Sequence, residues 1–268
     1  MNRLFSPILT GLVLLITAYP FAWMFLSSFK TNREIYQPGK MLPESFDPFA
    51  YKLLFSGELF DFTAVLVRSL LLAGGQAIFA CLVTAATGFA LAKGRFRGKS
   101  LLFWAALLII LYPKQAMSLA LFEWMARLEI TGNLYGLMLS GVASGLGVIF
   151  FTQVFRKVPD ELIDLAKVEG QSPFFCFFTL LPLIFPALCT YGILHFFLCW
   201  QEHLLPLLTL GTDQLTLPLA LAKLGDSSYH TPEAVGLAAG VLAMIPLFLL
   251  FGYFFRRVRT ALADWVVS

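Results

Sequence analysis

The stretch VPDELIDLAKVEGQSPFFCFFTLLPLIFP, residues 158–186, places a short charged sequence between two long apolar runs. Pro159 cannot continue a preceding helix but suits the first turn of a new one, and two acidic residues follow at the positive end of that turn. Gly170 is expected to end this helix. A serine followed by a proline then indicates the N-cap and first turn of a second short helix. Residues 159–181, called the charged segment below, are therefore predicted to form a helix-turn-helix.

The first helix of the charged segment is amphipathic. Leu162, Leu165 and Ala166 are expected to share one face, while Asp164 and Lys167 are spaced to form an ion pair. The charged side is mainly acidic, which disfavours binding to an anionic membrane surface. We therefore expect the apolar face to bind another protein, and a helix lying on the membrane is the alternative.

The rest of the chain is too apolar for a water-soluble domain. Of its 268 residues, 59% are apolar and 13% are charged, which is about half the charged fraction usual in soluble domains. Runs long enough to cross a ~30 Å hydrocarbon layer as helix recur along the chain. They predict six spans, at residues 7–28, 64–92, 101–125, 134–155, 182–207 and 234–255. The fold class expected is an all-α integral membrane protein, a single domain over residues 1–268, with the helix-turn-helix on the cytoplasmic side between helices 4 and 5.

Basic residues set the predicted orientation, because Lys and Arg are retained on the cytoplasmic side of short loops. With both termini in the cytoplasm, eleven basic residues lie inside and six outside, and four of those six fall in one long loop, residues 29–63, where the rule has less force. The net charge of +3 reflects this bias and does not indicate nucleic-acid binding. The cytoplasmic set is Arg3, Lys93, Arg95, Arg97, Lys99, Arg156, Lys157, Lys167, Arg256, Arg257 and Arg259.

Small and polar residues distinguish individual spans. Small residues recur along spans 2 and 4, including Gly88 and Gly147, and predict that these two helices pack closely against protein. In span 3, Pro113 removes a backbone donor and Lys114 places a charge about 20 Å along a straight helix, beyond the midplane. That lysine either extends to the outer interface or, with Gln115, lines a wet pathway.

Span 5 ends in a second polar group, Trp200-Gln201-Glu202-His203, which indicates a mouth or a subunit contact. A solute pathway needs hydrogen-bonding and aromatic groups. The candidates available on interrupted or polar stretches are Tyr112, Lys114, Gln115, Trp200, Gln201 and Glu202.

The sequence predicts neither an active site nor a metal site. No nucleophile, metal-ligand set or phosphate-binding glycine loop has a persuasive spacing. The four cysteines lie in or beside apolar helices, where they are expected to be buried small hydrophobes. All sixteen acidic residues fall in loops or near span ends, so no carboxylate is placed for a proton or sodium relay. Transport coupled to an ion gradient is therefore disfavoured, and any transport is expected to draw on another source of energy.

Several motifs in the sequence resemble those of a known family. Asp164-Leu165-Ala166 is followed after three residues by Gly170 and later by Leu181-Pro182. This order resembles the EAA loop of ABC importer permeases, E-A-A-x-x-x-G and then I-x-L-P. Further matches occur in sequence order, and the ordered set resembles the smaller sugar permease of the maltose-transporter type. They are YPFAWMFLSSFK (19–30), GFALAKGRFRGKS (88–100), FFTQVFRKVPDEL (150–162) and LTLPLAL (215–221).

The resemblance implies the partners, the site residues and the location of the chain. Such a permease pairs with a second homologous permease as a heterodimer, sits on two ABC ATPase subunits that carry ATP and Mg, and receives solute from an extracytoplasmic binding protein. It lies in a bacterial-type cytoplasmic (inner) membrane, has no cofactor of its own, and passes a sugar or a related polyol or glycoside. A channel or secondary transporter without an ATPase is the alternative. The family's EAA loop forms a coupling helix that seats in the ATPase, and its residues here are Glu161, Asp164, Leu165, Ala166, Lys167 and Gly170.

The chain also departs from the family pattern. Leu165 replaces the second small residue of the motif, Asp164 shortens its Glu, and Glu169 stands where Asp is common. Residues 200–203 read W-Q-E-H where the family usually has W-N-E-F, and RTALADWVVS, residues 259–268, replaces a tail rich in glycine and lysine.

Overall fold

The computed structural model describes residues 9–37, 39–211, 213–226 and 230–255 in full, and only the helix backbone at 5–8 and 256–267. The structure therefore does not describe the side chains of four basic residues on which the predicted membrane orientation depends, Arg3, Arg256, Arg257 and Arg259. The tail, residues 259–268, also lies outside the residues whose side chains are described. The described part of the chain folds into fourteen α-helices and contains no strand. They are α1 (Phe5–Ser27), α2 (Asn32–Ile35), α3 (Phe49–Phe55), α4 (Phe62–Lys93), α5 (Lys99–Leu111), α6 (Lys114–Arg127), α7 (Leu134–Ser140), α8 (Gly145–Lys157), α9 (Asp160–Val168), α10 (Pro173–Leu180), α11 (Phe185–Trp200), α12 (Leu204–Thr209), α13 (Leu217–Leu224) and α14 (Glu233–Val267).

Apolar helices of membrane-spanning length dominate this fold. Helices α1, α4 and α14 are each long and apolar enough to cross a bilayer alone. Three further pairs reach that length only together, and the chain bends by 110° between α5 and α6, by 53° between α7 and α8, and by 83° between α10 and α11. The described residues thus contain three spanning helices, or up to six spans if each bent pair counts as one. The fold is that of an all-helical membrane protein.

The break between α5 and α6 changes the position expected for Lys114. Tyr112 has extended backbone, as residues before proline generally do, and Pro113 precedes the first residue of α6. The depth predicted for Lys114, about 20 Å along a straight helix, is wrong, because the chain turns by 110° just before this residue. Span 5 is likewise divided, since α11 ends at Trp200 and α12 begins at Leu204.

The chain divides into two compact units, residues 1–67 with 216–248, and residues 68–215 with 249–268. In the first unit a buried carboxylate organises the predicted long loop. Glu34 forms a capping box with Thr31 at the start of α2, and its Oε1 accepts a hydrogen bond of 3.1 Å from the Glu44 backbone. The hydrogen bond from the Thr31 backbone is the main cause that lowers the pKa of Glu34.

The core of the second unit is formed by α4, α8, α9, α10 and α11. Helices α4 and α8 approach so closely that a Cβ on Gly88 would lie 2.6 Å from the Cβ of Phe151. Helices α8 and α11 are also close, because a Cβ on Gly147 would lie 2.3 Å from the hydroxyl of Tyr191 on α11. The prediction that small residues of spans 2 and 4 face protein is confirmed at these two positions. The buried cluster consists of Ala80, Ala85, Phe151, Val154, Phe155, Val158, Ile163, Ala166, Cys176, Phe177, Leu180, Ile184, Ala187 and Tyr191.

Candidate functional site

Helices α9 and α10 form the two helices predicted in the charged segment. Pro159 occupies the N-cap position of α9, and two acidic residues stand in its first turn. Ser172 caps α10, because its hydroxyl oxygen accepts a hydrogen bond from the Phe175 backbone at 3.4 Å, and Pro173 follows in the first turn. Both helices therefore begin at the residues that the sequence indicates.

A tight turn ends α9 and fixes the direction in which the chain leaves it. Gly170 has a φ of 77°, in the left-handed region, and its N–H donates to the Lys167 carbonyl at 2.9 Å. The N–H of Gln171 donates to the Ala166 carbonyl at 2.9 Å. This pair of bonds is the Schellman arrangement, in which glycine is favoured because it has no Cβ.

One face of α9 is buried in the protein. Ile163 is 7% exposed and Ala166 is 9% exposed, and both belong to the core cluster with Phe155 and Phe177. Ala166 therefore does not share a free apolar face with Leu162 and Leu165, contrary to the sequence-based expectation. The helix carries apolar residues on two sides, and only tertiary packing decides which side meets the core.

The opposite face of α9 presents a row of exposed apolar residues, called the apolar strip below. It consists of Leu162, Leu165 and Val168, which are 41%, 57% and 85% exposed. Residues spaced by three lie next to each other on a helix. Among the predicted site residues, Glu161 is exposed, and Asp164 and Lys167 form an exposed ion pair of 2.7 Å. Sequence reasoning missed Val168 and Ile163, although their helical spacing was visible.

A second site brings together the two polar groups predicted on separate spans. Lys114, in the first turn of α6, forms an ion pair with Glu202, which lies between α11 and α12. The Lys114 side chain is 63% exposed and the Glu202 side chain 17%. Glu202 also accepts a hydrogen bond of 3.4 Å from the Leu205 backbone at the start of α12. The pair forms because α6 packs against α12.

A cavity of about 40 Å³, called the polar cavity below, lies beside this ion pair. Gln76 from α4 and Ser140 from α7 contribute polar groups to its wall together with Lys114 and Glu202. The Gln76 amide donates to the Leu137 carbonyl at 3.0 Å, which holds the last turn of α7. At roughly 10–15 Å³ for each water-sized probe position, the polar cavity can accept a few water molecules.

The other candidate pathway residues do not line the polar cavity. Tyr112, Gln115 and Gln201 are exposed. Trp200 is 5% exposed and its ring stacks on Phe196 with 5.3 Å between centroids. Sequence reasoning did not identify Gln76 and Ser140 as residues of this cavity. The signal available in the sequence was a single amide or hydroxyl group inside an apolar helix.

No metal site is found among the residues that the structure describes, which contain no group of three His, Cys, Asp or Glu suited to an ion. The four cysteines, all within that part of the chain, form no disulfide.

Comparison with known proteins relates the chain to transport permeases, although no family model matches it. The arabinooligosaccharides transport system permease protein AraQ of Halalkalibacterium halodurans is 29% identical over 271 residues, 96% of this chain and 95% of that protein. The trehalose transport system permease protein SugB of Mycobacterium tuberculosis is 29% identical over 266 residues, 97% of this chain and 96% of that protein. The sn-glycerol-3-phosphate transport system permease protein UgpE of Pectobacterium atrosepticum is 27% identical, with 92% of this chain and 91% of that protein covered.

A solved structure supports the same fold. One chain of a bacterial ABC transporter involved in the import of the acidic polysaccharide alginate matches with a TM-score of 0.83 at 18% identity, covering 96% of this chain and 98% of that chain. The sequence similarity and this shared fold both extend over nearly the whole chain. Over nearly its whole length the chain is therefore similar to permease subunits of sugar ABC transport systems, and it shares the fold of an ABC importer permease.

Proposed function

We propose that the chain forms half of the translocation pathway of an ATP-driven importer and couples to its ATPase subunits through α9. The observation that carries this proposal is the apolar strip of Leu162, Leu165 and Val168, exposed on a helix whose opposite face is buried. An exposed apolar row on a fixed helix is stabilised when a partner covers it. Glu161 and Asp164 flank the row, and their charge disfavours an anionic lipid surface as that partner.

The rigidity of α9 favours a role in transmitting motion. Its N-terminus follows a proline, its C-terminus closes with Gly170, and Ile163 and Ala166 anchor it to the core. A helix held in this way moves together with the elements that it packs against. In this proposal Leu162, Leu165 and Val168 contact the ATPase, Glu161, Asp164 and Lys167 surround that contact, and Ala166 and Gly170 set the helix in place.

The polar cavity is the proposed part of the solute route in this subunit. Lys114 and Glu202 supply a donor and an acceptor for hydroxyl groups, and Gln76 and Ser140 lie in the same wall. Tyr112, Gln115 and Gln201 stay exposed and available for an opened pathway. The cavity volume of about 40 Å³ is too small for a sugar. In this proposal the cavity widens during transport and the ion pair between Lys114 and Glu202 separates as it does so.

The proposed assembly contains this chain, a second homologous permease, two ATPase subunits that bind and hydrolyse ATP with Mg, and an extracytoplasmic binding protein. The chain itself carries no cofactor and crosses a bacterial-type inner membrane six times, as one domain with both termini in the cytoplasm. Residues 9–22 of α1 are exposed on all sides, which leaves this helix available to lipid and to the second permease. The named relatives favour a sugar, an oligosaccharide or a related polyol as solute.

Purification of the tagged chain from its native membrane tests the proposal. We expect a second permease and ATP-binding subunits to co-purify, and we expect ATP-dependent uptake by proteoliposomes when the binding protein is present. The probes are labelled trehalose, an arabinooligosaccharide and sn-glycerol-3-phosphate. Uptake by the chain alone without ATP, abolished by collapse of an ion gradient, would instead support a secondary transporter.

A further inference from the structure

A single lysine bridges the joint between α8 and α9. Lys93, the last residue of α4, places its Nζ 2.5 Å from the carbonyl oxygen of Val158 and 2.5 Å from Oδ1 of Asp160. Val158 follows the last residue of α8, and Asp160 is the first residue of α9. The two acceptors therefore lie on either side of Pro159, where the chain changes direction.

The electrostatics of the joint favour this bridge. The C-terminus of a helix is its negative pole, so a cation beside the carbonyl that ends α8 is stabilising. The Lys93 side chain is only 9% exposed, whereas Asp160 is 79% exposed. The hydrogen bond from Lys93 is nevertheless the main cause that lowers the pKa of the Asp160 carboxyl. The lysine thus has two oxygen partners for a charge that is largely removed from water.

Helix α4 also extends from this joint to the polar cavity. Gln76 lies on the same helix, roughly 26 Å from Lys93 along the axis at 1.5 Å per residue. Its amide donates to the Leu137 carbonyl at 3.0 Å and lies in the wall that Lys114 and Glu202 share. One continuous helix therefore has α9 bound at one end and a pathway side chain further along.

We infer that Lys93 is a positioning residue that makes α4 and α9 move as one body, so that displacement of α9 reaches the polar cavity. The inference rests on the proposed coupling role of α9. The apolar contacts of Ile163 and Ala166 hold α9 against the core, while the lysine fixes the joint on both sides of Pro159. Without the lysine, α9 can tilt about the joint when the ATPase moves it.

The test compares Lys93→Met with the matched control Lys99→Met in the complete complex reconstituted with its binding protein. Lys99 also donates to carbonyls near the end of α4, those of Ala92 and Gly94, but not to α9. We expect Lys93→Met to lower the solute transported per ATP hydrolysed about fivefold, with the ATPase still bound. Lys99→Met should leave this ratio unchanged, and Lys93→Arg should restore most of it. The probe is whichever labelled compound named above the wild-type complex accumulates.

Hydrogen exchange of the peptide covering residues 158–168 gives a readout that needs no solute. Faster exchange is expected in Lys93→Met than in Lys99→Met. If Lys93→Met fails to assemble, Asp160→Asn replaces it in the test, because Asp160 is exposed. We expect Asp160→Asn to lower the solute transported per ATP hydrolysed about twofold. An unchanged ratio and unchanged exchange in Lys93→Met would overturn the inference, and the same result in Asp160→Asn would overturn it if Lys93→Met does not assemble. The proposed function is tested separately, by disruption of the apolar strip. If the ATPase still binds after that disruption, the result counts against the proposed function and not against the role of Lys93.

Discussion

Removal of the apolar strip on α9 is expected to weaken the association with the ATPase without unfolding the permease. The change is the triple substitution Leu162→Ser, Leu165→Ser and Val168→Ser. These side chains are 41%, 57% and 85% exposed, and full burial of one such side chain contributes about 1.5–3 kcal/mol. Scaled by the exposed fractions, the three together contribute roughly 3–5 kcal/mol when a partner covers them. At about 1.4 kcal/mol for each factor of ten, this is a loss of roughly two to three and a half orders of magnitude in affinity.

The assay is a titration of the detergent-purified permease pair with its ATPase subunit, followed by the fraction bound. The matched control is Leu162→Met, Leu165→Met and Val168→Leu, which keeps the strip apolar and should retain the wild-type Kd. The melting temperature of the permease should change little in either variant, because Ile163 and Ala166 keep the opposite face of α9 packed. A Kd for the serine variant within about threefold of wild type would refute the reasoning, since that is below 1 kcal/mol.

Further predictions concern the inner face of α9, its C-terminal turn, the polar cavity and the long loop. Ala166→Asp buries an unpaired carboxylate, so the permease should be destabilised by roughly 3–5 kcal/mol, seen as a lower melting temperature before any ATPase is added. Gly170→Val forces a branched residue into the left-handed region at a cost of roughly 1–2 kcal/mol and should weaken ATPase binding, whereas Gly170→Asn should retain most of it. The Lys114→Met and Glu202→Gln double-mutant cycle should show non-additive effects on uptake rate, and additive effects would mean that the ion pair does not gate the cavity. The pKa of Glu34 is lowered in the folded state, so its stabilising contribution is present above the unfolded pKa of about 4.3 and is lost as pH falls through the folded pKa. Thermal unfolding of Glu34→Gln should therefore depend less on pH between about 3 and 5 than that of the wild type.

The sequence was sufficient for features that depend on neighbouring residues. The start of α9 after Pro159, its end at Gly170 and the cap of α10 at Ser172 all lie where residue preferences indicate. Helix caps and glycine turns involve hydrogen bonds that reach only three to five residues along the chain, so they can be predicted without knowledge of the fold. The apolar content of the long helices was equally visible, because a bilayer requires runs of about 20 apolar residues.

Only the tertiary structure decided which residues meet across the fold. Lys114 and Glu202 pair although they are 88 residues apart, and Lys93 reaches Asp160 over 67 residues. The burial of Ala166 depends in the same way on helices that pack from distant parts of the chain. The break at Pro113, by contrast, is indicated by the proline itself, and only the 110° angle had to be read from the structure. The sequence shows that a helix such as α9 has apolar residues on two sides. Which of the two sides is buried depends on the neighbouring helices against which it packs. The physical reason is that such contacts are set by the packing of whole helices, which no local preference encodes.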